Sequence, residues 1–177
     1  MNTVREVSFN SNFSYFMEII AIDPSFTRTG VAILSNNALI GQTSFSVSEH
    51  STYKITEGIS YAHNVAKKIK PLLEQYPEAV VALEYPILAT SSGSYLALIT
   101  AKLDSLFRIK HTKVIYIPAV ACNAYTGART KTDIVNWVKE RYQFKGDHDI
   151  ATAVVLGNIG YDILNKKYKK SFTIVEY

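Results

Sequence analysis

The sequence predicts an α/β fold, a mixed five-stranded sheet flanked by helices on both faces. Two observations carry that expectation. The runs "IIAI" at 19–22, "VVAL" at 80–83 and "VIYI" at 114–117 are apolar without alternation, the mark of strands covered on both sides. Between and after them lie longer stretches whose apolar residues recur at helical spacing. A chain of 177 residues suits one core. Residues 17–177 therefore read as a single domain, preceded by a polar-aromatic extension over residues 1–16, "MNTVREVSFNSNFSYF".

Taken in order, three β-like runs open the domain: Glu18–Ser25, Thr29–Ser35 and Ala38–Val47. The pair Asn36-Asn37 signals a tight turn between the last two, so the three form an antiparallel meander. From Tyr53 to Tyr76 the residues Ile59, Ala62, Val65, Ala66, Ile69, Leu72 and Leu73 define a helical stripe, with Pro71 expected to kink or break it. "AVVALEYPI", Ala79–Ile87, is a buried strand stopped by proline. A Ser/Gly loop at Ser91–Ser94 leads into an apolar helix over Tyr95–Ile109, and "KVIYIP", Lys113–Pro118, is the next buried strand.

"TKTDIVNWVKERY" then begins a helix with Thr130 or Thr132 as N-cap and Ile134, Trp137, Val138 and Tyr142 on one stripe. The last helix, "GDHDIATAVVLGNIGYDIL", has Asp147, His148 and Asp149 at or just before its first turn. The tail "SFTIVEY" fits an edge strand or a packed arm. The order is β-β-β-α-β-α-β-α-α.

The net charge is +4, and the basic residues cluster at Lys67-Lys68-Lys70, Arg108-Lys110-Lys113, Lys139-Arg141-Lys145 and Lys166-Lys167-Lys169-Lys170. Such groups suit a polyphosphate partner. They equally suit solvated helix ends. The single cysteine, Cys122, excludes an internal disulfide and a thiol zinc site and points to a reducing compartment. No spacing pairs it with His63, His111 or His148 as a base, so it reads as a small buried residue. No run is long enough for a membrane span and none forms a signal-peptide core, so a soluble, cytoplasmic protein is expected.

Carboxylates at the ends of buried strands are the main functional signal. Asp23 closes the first run and Glu84 sits late in "VVALEYP", where an unpartnered carboxylate is costly. Asp149 heads the last helix. Working groups in open α/β sheets gather at strand ends and adjoining helix starts, so the three are expected on one patch. Crowded like charges make sense chiefly around a divalent cation, and oxygen-only ligation suits Mg²⁺ or Mn²⁺. Two such ions would activate a water and stabilise the leaving oxygen in phosphodiester cleavage. Each residue also has an ordinary role open to it: Asp23 before Pro24 as a turn residue, Asp149 as a helix cap.

These residues carry a resemblance. "AIDPSFTRTGVAIL" resembles the first motif of the RuvC-like Holliday-junction resolvases, "ALEYPI" their second, "TGARTKTDIV" their lysine-bearing motif and "DHDIATAVVLG" their final acidic helix, in that order. The resemblance implies an RNase H-like fold, a homodimer, and Mg²⁺- or Mn²⁺-dependent nicking of a four-way DNA junction, with two ions in each active site. It implies metal ligation by Asp23, Glu84 and Asp149, and contact of Lys131 with the scissile phosphate. Without it, Lys131 is an exposed lysine at a helix start. The stretch Pro24–Gly30 is expected to be the tight turn that holds Asp23 at the strand end.

Two departures from the family pattern stand out. The last motif usually has two ligands three residues apart, and from Asp149 that spacing falls on Thr152 or on Gly146. The first pairing fits the "IATA" context better, leaving Asp147 or His148 as substitute ligand. The second departure is Ile87, where some resolvases carry an aromatic wedge; Tyr85 and Tyr95 are the alternatives. An actin-like ATPase shares the opening hairpin but needs a second domain and Gly-rich phosphate loops. A non-catalytic junction-binding protein is the remaining competitor.

Overall fold

Alternation along the first strand sends Ile19 and Ala21 to one face and Ile20 and Ile22 to the other, and all four are fully buried. A sheet apolar on both faces must be covered on both, and the computed structural model shows those two layers. It describes residues 17–25, 27–46, 55–85, 93–168 and 173–177. The expected extension over residues 1–16 and position Ile87 lie outside the described residues, as do the side chain of Tyr95 and the first two residues of the expected loop Ser91–Ser94, whose last two, Gly93 and Ser94, belong to a helix.

The meander consists of β1 (Glu18–Asp23), β2 (Arg28–Ser35) and β3 (Ala38–Ser46). Asn36 and Asn37 have φ of 47° and 67°, the left-handed pair that a two-residue hairpin requires. β4 (Val80–Tyr85) lies parallel to β1, and β5 (Val114–Pro118) parallel to β4. The five expected strands are all present. The tail adds a sixth, β6 (Thr173–Val175), antiparallel to β5, and the sheet order is β3-β2-β1-β4-β5-β6.

On one face lie α1 (Ile55–Gln75) and α2 (Gly93–Ile109), which bury Val65, Ile69, Leu103 and Phe107 against Ile20, Ile22 and Leu83. α1 runs on through Pro71 and does not break there. The lost backbone bond is offset by burial of Ile69 and Leu73 on either side. The other face carries α3 (Val120–Thr126), α4 (Lys131–Arg141) and α5 (His148–Leu164). The short α3 has no counterpart in the expected element order.

α5 is the central helix, and every residue from Ile150 to Gly160 is buried. It lies close on the sheet because it carries glycine where it meets bulk: a Cβ on Gly157 would come within 2.2 Å of Leu34 Cδ1. Among the described residues no helix is long and apolar enough to cross a membrane.

Candidate metal centre

Register brings the two strand-end carboxylates together. Ile22 of β1 pairs with Leu83 of β4 in a parallel ladder, so the next residues, Asp23 and Glu84, stand side by side at the same end of the sheet. Alternation turns both toward the α5 face, since Ala21 and Ala82 belong to the core under that helix. Their carboxyl groups are close enough to shift one another's titration.

The third carboxylate arrives through an absence. Asp23 is paired across the β1–β2 ladder with Gly30. A Cβ at Gly30 would lie 2.2 Å from the backbone oxygen of Asp149 and 2.8 Å from the amide nitrogen of Ile150. The first turn of α5 thus rests on β2 at the one residue without a side chain. Gly30 is therefore a strand residue under a helix, not part of the expected turn; the link between the strands is confined to residues 24–27.

Lys131 occupies the first position of α4. Thr130 is the N-cap, and Thr132 is not: Asp133 N donates to Thr130 Oγ1 at 3.2 Å, and Thr130 N donates to Asp133 Oδ2 at 2.8 Å, a reciprocal capping box. This fixes the helix start and carries the exposed ammonium of Lys131 into the field of Asp23.

The electrostatics follow from crowding. Burial pushes the Asp23 carboxyl well above the usual carboxylate range, and Glu84 and Asp149 push it further, against Lys131. Glu84 is likewise raised by burial, with Asp149 adding to the effect and the neighbouring Asp23 carboxyl opposing it. Of the sequence-predicted residues, Asp23, Glu84, Lys131 and Asp149 are brought into one electrostatic neighbourhood. The tight part is the Asp23–Glu84 pair. Among the described residues no three His, Cys, Asp or Glu side chains are grouped closely enough to enclose an ion.

Asp147 has a different occupation. Its Oδ1 accepts the Ile150 amide at 3.1 Å as N-cap of α5, and its Oδ2 pairs with the Arg28 guanidinium. Burial alone would raise its pKa, but the Ile150 amide and Arg28 hold it below the ordinary value. This engagement argues against its service as a metal ligand. The Thr152 hydroxyl is also engaged, donating to the His148 carbonyl at 3.1 Å. A side chain at Gly146 would strike the Phe144 ring at 2.6 Å.

His148 adjoins Asp149 at the start of α5. Its Nδ1 lies 3.5 Å from Asp149 Oδ1 and is buried without a hydrogen-bond partner among the described residues. Burial and the Lys131 charge lower its pKa, which favours the neutral ring. Cys122, on α3, is buried as expected. Burial raises its thiol far above the normal value, and Glu84 and Asp23 add to that, so it stays protonated and unreactive. Tyr85 is 46% exposed and meets Tyr116 edge-on at 6.2 Å.

Two contributors were not singled out from the sequence. Arg28 and the glycine-for-helix exchange at Gly30 both lie inside the quoted "SFTRTG" stretch, but their partners are about 120 residues away, beyond any local pattern.

The architecture matches solved structures. Thermus thermophilus RuvC in complex with a Holliday junction substrate superposes with a TM-score of 0.67 at 10% identity, over 90% of this chain and 99% of that one. The T. thermophilus RuvC structure gives 0.67 at 11% identity, over 90% and 100%. The Mn-soaked human cytomegalovirus terminase nuclease domain gives 0.50 at 15% identity, over 91% of each chain. No protein-family model and no curated protein matches the sequence. The fold is therefore RuvC-like and RNase H-like, with similarity carried by structure at low sequence identity.

Proposed function

We propose that this chain is a divalent-metal-dependent endonuclease that resolves four-way or otherwise branched DNA junctions. The observation that carries the reading is the pairing of buried Asp23 with half-buried Glu84 at the ends of adjacent parallel strands, in the electrostatic field of Asp149 and Lys131. Fold stability gives no reason to crowd acidic groups in this way, and each has its pKa raised or its neighbours' raised at a cost. The RuvC structure bound to a Holliday junction directs the substrate class to branched DNA.

The chemistry of the donors suits a hard cation. Asp23, Glu84 and Asp149 offer oxygen only, which suits Mg²⁺ or Mn²⁺, and two ions per site are proposed. Such ions supply Lewis-acid stabilisation and a water nucleophile when bound. Asp23 and Glu84 would hold them from the sheet and Asp149 from α5, with His148 Nδ1 available as a nitrogen donor in place of Asp147. Lys131, exposed at the start of α4, would bind the scissile phosphate and neutralise charge developing on it. Basic residues at helix ends would track the duplex arms and give affinity without sequence information. Two cuts in one junction require two centres, so a homodimer belongs to the same proposal.

The test is cleavage of a labelled four-way junction and a linear duplex of matching sequence, with Mg²⁺, Mn²⁺ or EDTA. Paired symmetric nicks in the junction alone, lost in EDTA, are the expected result. Cutting of both substrates would make the protein a general nuclease. Tight junction binding without nicks under any metal would favour a non-catalytic junction-binding protein.

A further inference from the structure

The position of Asp149 depends on how the start of α5 is held, because the first turn of any helix lacks internal partners for its N–H groups and frays easily. Here that turn is tied to the sheet from two strands. Gln42 of β3 donates from Nε2 to the Lys145 carbonyl at 2.7 Å, just ahead of the helix. Arg28, the first residue of β2, shares the α5-facing side with Gly30 and pairs with Asp147. The two oxygens of Asp147 divide the work: Oδ1 caps the helix through the Ile150 amide, and Oδ2 takes the Arg28 guanidinium.

We propose that Arg28 is a positioning residue for the metal centre: through Asp147 it clamps the first turn of α5 onto β2 and so sets where Asp149 stands relative to the Asp23–Glu84 pair. This rests on the metal-centre reading above. The chain of contacts is short. Asp149 lies two residues beyond the clamped cap, and its backbone oxygen sits over Gly30, two residues beyond Arg28 on the strand. Loss of the clamp frees the only carboxylate of the three that is carried by a helix. An arginine suits the task because its planar, permanently charged fork fixes direction as well as distance.

The exposure of the pair separates this role from a merely structural one. The Arg28 and Asp147 side chains are 44% and 34% exposed. Exposed ion pairs contribute little to global stability. A positional effect on a neighbouring ligand has no such ceiling, since partners one shell out from a metal commonly change its affinity about 10- to 100-fold.

The experiment is a Mn²⁺ titration of the full chain, following free Mn²⁺ by electron paramagnetic resonance, with a thermal unfolding midpoint for each protein. Arg28→Ala is expected to weaken Mn²⁺ binding about tenfold with little change in midpoint. Arg28→Lys should fall between it and the wild type. Asp147→Asn, which keeps a competent cap while losing the charge, should match Arg28→Ala. The double variant should be no weaker than the weaker single variant, because both remove one interaction. Mn²⁺ binding by a folded Arg28→Ala protein within about twofold of the wild type, or additive losses in the double variant, would overturn the clamp. No uptake by the wild type would instead overturn the metal-centre reading on which it rests.

Discussion

Gly30 and Asp149 are in backbone contact so close that a Cβ on the glycine would lie 2.2 Å from the Asp149 carbonyl oxygen. The obstacle is helix backbone, which cannot rotate away as a side chain can. Gly30→Ala is therefore expected to lift the first turn of α5, destabilising the fold by about 1–3 kcal/mol as overpacking does. Junction cleavage should fall with it, because the turn that moves carries Asp149. Urea unfolding and cleavage of the same preparation check this, and wild-type values for both would refute it.

Removing a carboxylate from the pair should separate chemistry from binding. Asp23→Asn and Glu84→Gln are each expected to lower cleavage by at least about a hundredfold while leaving junction affinity near that of the wild type, since phosphate contacts made elsewhere supply most of the affinity. Gel-shift and cleavage assays on one labelled junction would show it. Undiminished cutting by either variant excludes that residue from the site.

The same pair predicts how stability responds to pH when metal is chelated. Asp23 and Glu84 both titrate above their ordinary range because burial disfavours the charged form. A raised folded pKa means that the folded state holds its proton more tightly than the unfolded state. That contribution is complete below about pH 4, where the unfolded carboxyls are protonated, and is lost as pH rises through the folded values. In EDTA the thermal midpoint of the wild type should therefore decline, relative to that of Asp23→Asn, from pH 4 upward. Mn²⁺ or Mg²⁺ should restore the wild type alone. A difference independent of pH would sink the account.

The strands and the carboxylates were legible because both leave local signatures. "IIAID" and "VVALEY" are apolar runs that end in an acid, and their parallel pairing follows from the crossover helix between them. The side chains around Asp149 were not. The "DHD" triplet places three ionisable groups at one helix start, and nothing in its sequence says that Asp147 faces Arg28 or that His148 lies against Thr152. The second is an i,i+4 contact within α5, but the first is made by β2, which precedes this helix by more than a hundred residues. Gly30 was visible, yet its purpose belonged to a helix it could not announce. The continuity of α1 through Pro71 was illegible for a related reason, since tertiary burial overrode a local signal.

Lys131 offers a test of the α4 contribution. Its ammonium is exposed at the first position of the helix and lies in the field of Asp23. If it binds the scissile phosphate, Lys131→Met should cut the single-turnover rate by about a hundredfold with little effect on Mn²⁺ affinity, because it lowers the barrier without holding the ion. Asp133→Ala makes the contrast. It removes the capping box and weakens the start of α4, and it should slow cleavage far less. Equal rates for Lys131→Met and the wild type would return the residue to an ordinary surface lysine.

The sixth strand is held by a side-chain cluster whose behaviour in acid can be worked out. Asp104 of α2 accepts from the Tyr116 and Tyr177 hydroxyls and, at 3.0 Å, from Arg108 Nε, while the Arg108 guanidinium lies 4.6 Å from the centre of the Tyr177 ring. Lys113 and Glu176 add an ion pair at 2.5 Å. Burial alone would raise the Asp104 carboxyl, but the bonds from Tyr116, Tyr177 and Arg108 outweigh it and hold its pKa low. A depressed folded pKa contributes stability above the unfolded value of about 3.9, and that contribution is lost as pH falls through the folded value. Asp104→Asn is thus expected to destabilise the protein by about 1–3 kcal/mol at pH 7, with the difference shrinking toward pH 3. Tyr177→Phe removes one neutral donor and should cost about 1 kcal/mol. Urea unfolding at pH 7, 5 and 3 measures both, and a loss for Asp104→Asn that stays constant across that range would show that its charge does not hold β6 in place.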